Sequence, residues 1–469
     1  MQTLESHRVS WQSRNRRTTF LALGSISILA FLAEGILSKS NVPGIRLGFI
    51  QHMSATVCLL FLLGYAWLYC PIHDFKRTAS AGLLRVRYYV AAICGWTLIS
   101  TLAQTDEFLP ANIAFWTIWS ANLFAIWWIV PVLVGNFSVQ DRLRLIQLVV
   151  FSVVTFCILL HPLNGYQQGR LVGMFVNASH SGRMLALAVV TCFTIWLTSP
   201  RQQMWQVAFL LAAAVLLVMT RTRASIASAT VACAAVFLTV QFSNNSWKQS
   251  STGRKTGIVL FILVTAAFVG WLTIDLSEAT TFLRVDGGIT GVIASRTMNW
   301  SRGFGEFDEY GILGGGFMSR FGDTSNPVVI GGISVPKYDW LTADDPMNMW
   351  MSMAKQSGIP AMIVLLFIVI AIWQMRSQMT DFPSRCLVTG FLVSGLVFGS
   401  VDGNWLLSFG HPVDRFSMVV FAILGSIPRN SFARNQLNRI ARQKQLTAKD
   451  TCKDVIALSL PGRQTAVTR

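Results

Sequence analysis

Charged residues are scarce in this sequence, and acidic residues are the scarcest. Only 13% of the 469 residues are charged, and 21 Asp and Glu residues stand against 38 Lys and Arg residues. Water-soluble domains contain about 25% charged residues, so this composition excludes an ordinary soluble enzyme. Hydrophobic residues make up 53% of the chain instead, which indicates a protein whose surface contacts lipid.

Motifs for the common soluble enzyme chemistries are also missing. The sequence has no GxxxxGK[ST], HExxH or GxSxG pattern. Its glycine-rich string GFGEFDEYGILGGG lacks the strand and helix that a nucleotide-binding motif needs. The eight cysteines form no CxxC and do not pair with histidines, which argues against metal sites and disulfides. We therefore expect neither a metal nor a cofactor.

Long apolar runs are what the sequence does contain. A run of about 17 to 25 residues, rising 1.5 Å per residue, is long enough to cross about 30 Å of hydrocarbon. These runs predict an all-α polytopic membrane protein with about twelve transmembrane helices. The predicted spans are 18–37, 53–72, 88–104, 112–135, 145–162, 183–199, 205–220, 224–241, 257–275, 347–372, 386–403 and 412–428.

The basic residues predict the orientation of these spans, because Lys and Arg of short loops stay on the cytoplasmic side. About two thirds of the 38 Lys and Arg residues lie in segments that twelve alternating spans place on one side. That side includes both termini, which are therefore expected in the cytoplasm. The net charge of +17 then reflects topology and attraction to anionic lipid rather than nucleic-acid binding.

Four regions follow from this topology. Residues 1–275 contain the first nine spans, 276–346 form one large outer loop, 347–428 contain the last three spans, and 429–469 form a basic cytoplasmic tail. Glycines and isolated aromatic residues in the loop favour short helices that lie on the membrane surface over a separate domain.

The remaining basic residues are mostly arginines on the outer side. Arg221 and Arg223, in TRTRAS, occupy a tight turn where a charge near hydrocarbon is costly unless it is paired or binds a ligand. Arg170 and Arg183 flank GMFVNASHSG, and Arg296 lies in SRTMNW of the large loop. A planar guanidinium group can bind phosphate through two hydrogen bonds, so these arginines predict a site for a lipid-linked phosphate or diphosphate. The alternative is that each arginine binds only a phospholipid headgroup or a carbonyl group at a helix C-terminus.

Other polar residues on the outer side are candidates for contacts with a substrate. His180, in NASHSG, could bind a sugar hydroxyl or a phosphate, or could simply hydrogen-bond within the protein. Asp344 and Asp345, in TADDPMNMW, are candidates for a general base that deprotonates an acceptor hydroxyl. The alternative is that they cap the next helix. Weaker candidates for the base are Glu278, Asp286, Asp339 and Asp402.

Three segments, taken in order, resemble the O-antigen ligase and polysaccharide polymerase superfamily of bacterial inner-membrane proteins. They are GRLVGMFVNASHSGRMLAL, then TRTRASIASATVA, then the series SRTMNW, GILGGGFMSRF and DDPMNMWMSMAKQSGIPAMIVLL, within about 165–375. The resemblance implies an inner-membrane glycosyltransferase with a GT-C-like helical bundle and a large periplasmic loop. Its donor would be an undecaprenyl-diphosphate-linked oligosaccharide. Its other partners would be membrane lipid and the chain-length regulator and flippase of the same pathway.

The resemblance also implies roles for single residues. The family's arginines that hold the diphosphate correspond to Arg223, with Arg221 as an alternative, and to Arg296. An acceptor hydroxyl would attack the anomeric carbon, and the arginines would stabilise the departing diphosphate without a metal. The expected catalytic residues are Arg223, Arg296 and Asp345, and the expected substrate-binding residues are Arg221, Arg170, His180, Arg183 and Asn348.

One departure from the family pattern bears on the reaction. Ligases of this family carry a His-Asn pair at the start of the span after the large loop, whereas this chain has Met347-Asn348. We therefore expect a polymerase that joins repeat units of O-antigen or exopolysaccharide. The first alternative is a ligase that transfers glycan to lipid A-core, with Asp345 in place of the histidine. The second is a non-enzymatic transporter of lipid-linked sugars, although the chain lacks the two repeated halves that many transporters have.

Overall fold

Most of the described structure is helical. The computed structural model describes residues 79–103, 109–164, 166–167, 170–173, 175, 178–199, 204–242, 311–316, 323–330, 333–337, 348–401, 406–407 and 412–426. The predicted spans 18–37, 53–72 and 257–275 lie outside these residues, as do the predicted tail and most of the predicted large loop.

The described residues form nine helices and two short antiparallel hairpins. The helices are α1 Ala81–Leu102, α2 Leu109–Leu133, α3 Val139–Asn164, α4 Ala178–Thr198, α5 Met204–Met219, α6 Arg223–Phe242, α7 Met349–Ser377, α8 Phe382–Val401 and α9 Pro412–Gly425. Strand β1 (Tyr166–Gln167) pairs with β2 (Arg170–Leu171), and β3 (Asp323–Ile330) pairs with β4 (Ile333–Lys337). Each helix coincides with one predicted span, and the ends differ by several residues.

Six of these helices are long and apolar enough to cross a membrane. They are α2, α3, α4, α6, α7 and α8, with mean hydropathies of 1.4 to 2.3. Large apolar side chains such as Leu148, Trp205 and Phe367 are exposed on the outside of the bundle, as expected where lipid replaces water. The protein is therefore a polytopic α-helical membrane protein. Its total of twelve spans stays a prediction.

Helix α4 is the most enclosed of the six spanning helices. In its apolar window 89% of the residues are buried, and it packs against α3, α5, α6, α8 and α9. Gly390 of α8 allows a close approach, because a Cβ there would lie 2.5 Å from Val190 of α4 and 2.9 Å from Val236 of α6. A polar side chain on α4 is consequently surrounded by other helices rather than by lipid.

Hydrogen bonds between helix ends define two ends of the bundle. At one end, Arg142 of α3 donates to the carbonyl oxygens of Val134, at 3.1 Å, and of Ser426. At the other end, the Asn348 amide donates to the Ser400 carbonyl oxygen at 2.9 Å. We call this second end, where α2, α4, α6, α7 and α9 begin, the arginine end.

Helix α7 is broken at Gly358, about 14 Å along the helix from its first residue at 1.5 Å per residue. Gly358 has φ 77° and ψ 175°, and Pro360 follows it. Proline has no N–H to continue the helical hydrogen bonds. The break therefore releases backbone carbonyl groups in the interior of a membrane-spanning helix.

Donors from other parts of the chain bind the released carbonyl groups. The carbonyl oxygens of residues 355, 356 and 357 accept, in that order, from the Gly315 N–H at 2.8 Å, the Ser100 hydroxyl at 3.2 Å and the Trp96 indole N–H at 2.6 Å. Unsatisfied backbone groups are very costly within a membrane. These contacts therefore stabilise the break and hold the segment 311–316 against α7.

Within the predicted large loop, the structure describes a 3₁₀ turn at Gly311–Leu313 and the β3–β4 hairpin. Only short helices were predicted for this region. In the hairpin Ile330 pairs with Ile333, and the sequence between them is Gly-Gly, a dipeptide that favours tight hairpin turns. The β-branched residues of VVIGGISV favour strands on both sides of that dipeptide.

Candidate functional site

The TRTRAS turn between α5 and α6 places two of the predicted arginines at the arginine end. Thr220 and Thr222 are buried, and their hydroxyl oxygens are hydrogen-bonded at 2.7 Å. Arg221 lies between them with φ 52° and is exposed, whereas Arg223, the first residue of α6, is half-buried. The turn thus buries its threonines and leaves both arginines at least partly accessible.

Arg170 is attached to the same turn. Its Nε donates to the carbonyl oxygen of Thr220 at 3.1 Å, and strand β2 lies beside both α4 and α5. Three arginines predicted to bind substrate therefore lie in one small region, although they come from two segments of the sequence. Arg170 also has a structural role there, because its hydrogen bond supports the turn that carries Arg221 and Arg223.

Gly182 brings the start of α4 against the TRTRAS turn. A Cβ at this position would lie 1.9 Å from the Thr222 hydroxyl oxygen and 2.8 Å from that of Ser225. The neighbouring Ser181 hydroxyl donates to the carbonyl oxygen of Val172, which connects α4 to the residues that follow β2. The motifs NASHSG and TRTRAS, which are distant in the sequence, consequently meet at this point.

The substitution Gly182→Ala is expected to destabilise the protein by about 1–3 kcal/mol, the usual cost of overpacking a tight contact. The added methyl group overlaps the Thr222 hydroxyl, so α4 and α6 must separate. Thermal unfolding in detergent would measure the loss of stability as a lower thermal midpoint. The double variant G182A/T222A removes the overlapping oxygen, so its thermal midpoint should lie between those of G182A and the wild type. Equal midpoints for the wild type and G182A would contradict this packing.

His180 and Arg183 lie in the first two turns of α4. His180 is half-buried and Arg183 is buried. The guanidinium carbon of Arg183 is 3.8 Å from the centre of the Phe398 ring of α8, within the distance of a cation–π contact. The contact fixes the position of this guanidinium group at the arginine end, between α4 and α8.

Arg183 also lines a narrow pocket between four helices. The lining consists of Arg183 and Leu187 of α4, Ser228 of α6, Ser394, Gly395 and Phe398 of α8, and Asp414 and Ser417 of α9. The cavity volume among these residues is about 10 Å³, which is room for about one water molecule. Ionisable side chains inside a membrane bundle are costly and mark functional sites. We define this set of residues as the polar pocket.

Of the residues in the polar pocket, only Arg183 was predicted as a site residue from the sequence. The signal that could have indicated the others is the spacing of polar and aromatic residues within apolar helices. Ser394 and Phe398 are four residues apart in α8, and Asp414 and Ser417 are three residues apart in α9, so each pair lies on one helix face. Only the packing of four helices shows that these faces converge.

Asn348 has a structural role as the N-cap of α7. Its side-chain oxygen accepts from the N–H groups of Trp350 at 3.0 Å and Met351 at 3.3 Å, and its amide nitrogen donates to Ser400. Substrate binding by this side chain stays a prediction. The other two predicted residues, Arg296 and Asp345, lie outside the described residues, as does Asp344.

The arginine end favours the binding of an anion. Five of the described helices begin there, and each helix N-terminus carries about half a positive charge. In the described helices, Asp414 is the one acidic residue at this end. Basic side chains near helix N-termini are unfavourable on their own, so a ligand with several negative oxygens would complement the site. The arginines at this end are Arg170, Arg183, Arg221, Arg223 and Arg415.

A metal site is not formed within the part of the chain that the structure describes, where no three His, Cys, Asp or Glu side chains come together. The chain matches no protein-family model, and no curated protein is significantly similar to it in sequence.

Proposed function

We propose that this protein is a membrane glycosyltransferase that polymerises undecaprenyl-diphosphate-linked oligosaccharide repeat units into O-antigen or exopolysaccharide at the periplasmic face. The observation that supports it most is the collection of five arginines and five helix N-termini at one end of an apolar bundle. A lipid-linked diphosphate has the matching chemistry, because its anion lies at the membrane surface while its chain stays in the hydrocarbon.

The proposed reaction uses the arginines as the binding site for the leaving group. Arg221 and Arg223 contact the diphosphate, and Arg170 keeps their turn in place through its hydrogen bond to Thr220. An acceptor hydroxyl at the end of one glycan attacks the anomeric carbon of the other, and the lipid diphosphate leaves. Guanidinium groups stabilise the charge that develops on that diphosphate, which is the main source of catalysis in such a site.

The test of this function is the glycan made by a strain that lacks the gene, resolved by size and by its attachment. Single repeat units that accumulate on the lipid carrier, with polymer absent, are the expected result. Full-length polymer that remains on the carrier would instead show the ligase, whose acceptor is lipid A-core. Repeat units trapped on the cytoplasmic side would show the transporter. Either of the last two results would overturn the proposal.

A further inference from the structure

The break at Gly358 divides α7 into a part that crosses the membrane and a part that does not. The residues after the break, 359–377, rise about 28 Å at 1.5 Å per residue, which is close to the hydrocarbon thickness of about 30 Å. The residues before the break run across the arginine end of the bundle. They are hydrogen-bonded to Ser400 at the end of α8 and to Ser100 near the end of α1. The break therefore lies at the boundary of the hydrocarbon.

The segment 311–316 packs at this boundary with its apolar side chains facing outward. The three glycines 314–316 are buried, and the Gly315 N–H donates to the carbonyl oxygen of Lys355 in α7. In contrast, Ile312 is 66% exposed and Leu313 is 36% exposed. A segment surrounded by water buries its large apolar residues in preference to its glycines. The opposite arrangement is expected where the outward side of the segment contacts lipid.

Ile312 and Leu313 continue a lipid-facing surface of the bundle. The backbone of Ile312 lies against Gly358, and the Leu313 carbonyl oxygen accepts from the Ser100 hydroxyl. Exposed apolar residues lie on both sides of these contacts, and those of α7 are three or four residues apart, so they share one helix face. They are Ile99 and Leu102 of α1, and Ile359, Ile363, Leu366, Ile370 and Trp373 of α7.

We propose that the segment 311–316 is a membrane anchor, in which the side chains of Ile312 and Leu313 insert among the acyl chains of the leaflet at the arginine end. The partner is the bilayer rather than a second protein, because the surface lies at the hydrocarbon boundary and is continuous with the lipid-facing side of α7. Gly315 and Ser100 hold the segment from the inside, and lipid covers it from the outside. This inference does not depend on the proposed function.

The test uses the wild-type full-length protein in nanodiscs that contain a phospholipid with a photoactivatable diazirine in its acyl chain. Illumination attaches the lipid to the side chains that it contacts, and mass spectrometry locates the adducts. We expect adducts on Ile312 or Leu313 and on Phe367, an exposed residue of α7 that serves as the internal reference. Hydroxyl radicals generated in the water should leave Ile312 unoxidised. Adducts on Phe367 without adducts on 311–316, together with oxidation of Ile312, would overturn the anchor.

Ile312→Asn and Ile312→Leu form a matched pair of variants. Asparagine places a polar amide among acyl chains, so I312N should lose the adducts on 311–316 and keep those on Phe367. Leucine preserves the apolar surface, so I312L should keep both. Adducts on 311–316 that are as frequent in I312N as in the wild type would contradict the anchor. If I312N also loses the Phe367 adducts, its bundle has not folded, and the wild-type result alone decides.

The number of copies in each nanodisc distinguishes lipid from a second copy of the chain as the partner. Nanodiscs that hold one copy and nanodiscs that hold two copies should give the same yield of lipid adducts on Ile312 and Leu313. Adducts that are present with one copy and absent with two would show that a second copy covers this surface. That result would overturn the bilayer as its partner.

Discussion

Replacing Arg223 by alanine is expected to abolish polymer formation while the protein remains folded in the membrane at its normal level. Arg223 is the first residue of α6 and is only half-buried, so the substitution leaves no cavity in the core. The substitution should lower the polymerisation rate rather than the stability, because removal of one group that stabilises developing charge typically slows catalysis about 10²–10³-fold. Polymer length in the strain and the rate in nanodiscs measure the effect.

Arg223→Lys and Arg144→Ala make this prediction specific. Lysine keeps the charge but loses the planar guanidinium group that binds two phosphate oxygens. The polymerisation rate of R223K should therefore lie between those of the wild type and R223A. Arg144 belongs to the opposite end of the bundle, where its side chain is 75% exposed and lies 3.9 Å from Asp141. Exposed pairs of this kind contribute at most about 1 kcal/mol, so R144A should leave polymer unchanged.

The pattern of losses decides between catalysis and folding. Equal defects in R223A and R144A, or a low protein level in R223A, would indicate that the arginine supports folding or insertion. Normal polymer in R223A would remove the main argument for the diphosphate site. If the proposed function holds, Arg296→Ala should show the same loss of polymer as R223A, because the proposal rests on the expectation that both arginines hold the diphosphate.

Much of the fold followed from composition and from the lengths of apolar runs. The runs predicted α2, α3, α4, α6 and α8 because a membrane span needs a minimum length and little charge. The break in α7 was not predicted, because the predicted span 347–372 was drawn across Lys355-Gln356-Ser357, Gly358 and Pro360 on the strength of the long apolar run that follows them. The break depends on a segment of the large loop that packs against it, and such long-range packing leaves no periodicity in the sequence.

Only part of the candidate site was predicted, because the rest of it also depends on packing between distant segments. Arg221 and Arg223 could be selected because charges next to a membrane span are costly. The contact between Gly182 and Thr222, and the convergence of Ser228, Ser394 and Asp414, depend on how α4, α6, α8 and α9 cross. Single glycines and serines in apolar helices are too common for their positions alone to predict a pocket.

Gly358→Ala is expected to have the largest effect on stability. A Cβ on Gly358 would lie 1.6 Å from the backbone oxygen of Ile312 and 3.0 Å from the backbone carbon of Leu313. Both contacts are to backbone atoms, which cannot rotate away as a flexible side chain can. The backbone of Gly358, with φ 77° and ψ 175°, lies in a region that essentially only glycine adopts, which adds a penalty of about 1–3 kcal/mol for a residue with a Cβ. Together with overpacking of about 1–3 kcal/mol, this should displace residues 311–316 from the break.

Gly95→Ala in α1 is the matched control for this substitution. A Cβ on Gly95 meets no atom within 4 Å, and alanine favours a helix by up to about 1 kcal/mol over glycine. Thermal midpoints in detergent should therefore fall sharply for G358A and stay level or rise for G95A. Equal midpoints for the two variants would contradict the docking of 311–316 against α7.

Gly314 offers an independent check from the other side of the same contact. Its φ is 73°, and a Cβ there would lie 2.4 Å from the backbone nitrogen of Gly358. Gly314→Ala should therefore lower the thermal midpoint in the same way as G358A. Because each substitution separates the same two segments, the double variant should lose less stability than the sum of the single losses. Fully additive losses would mean that the two glycines act at separate places, and the loop segment would then not depend on the break in α7.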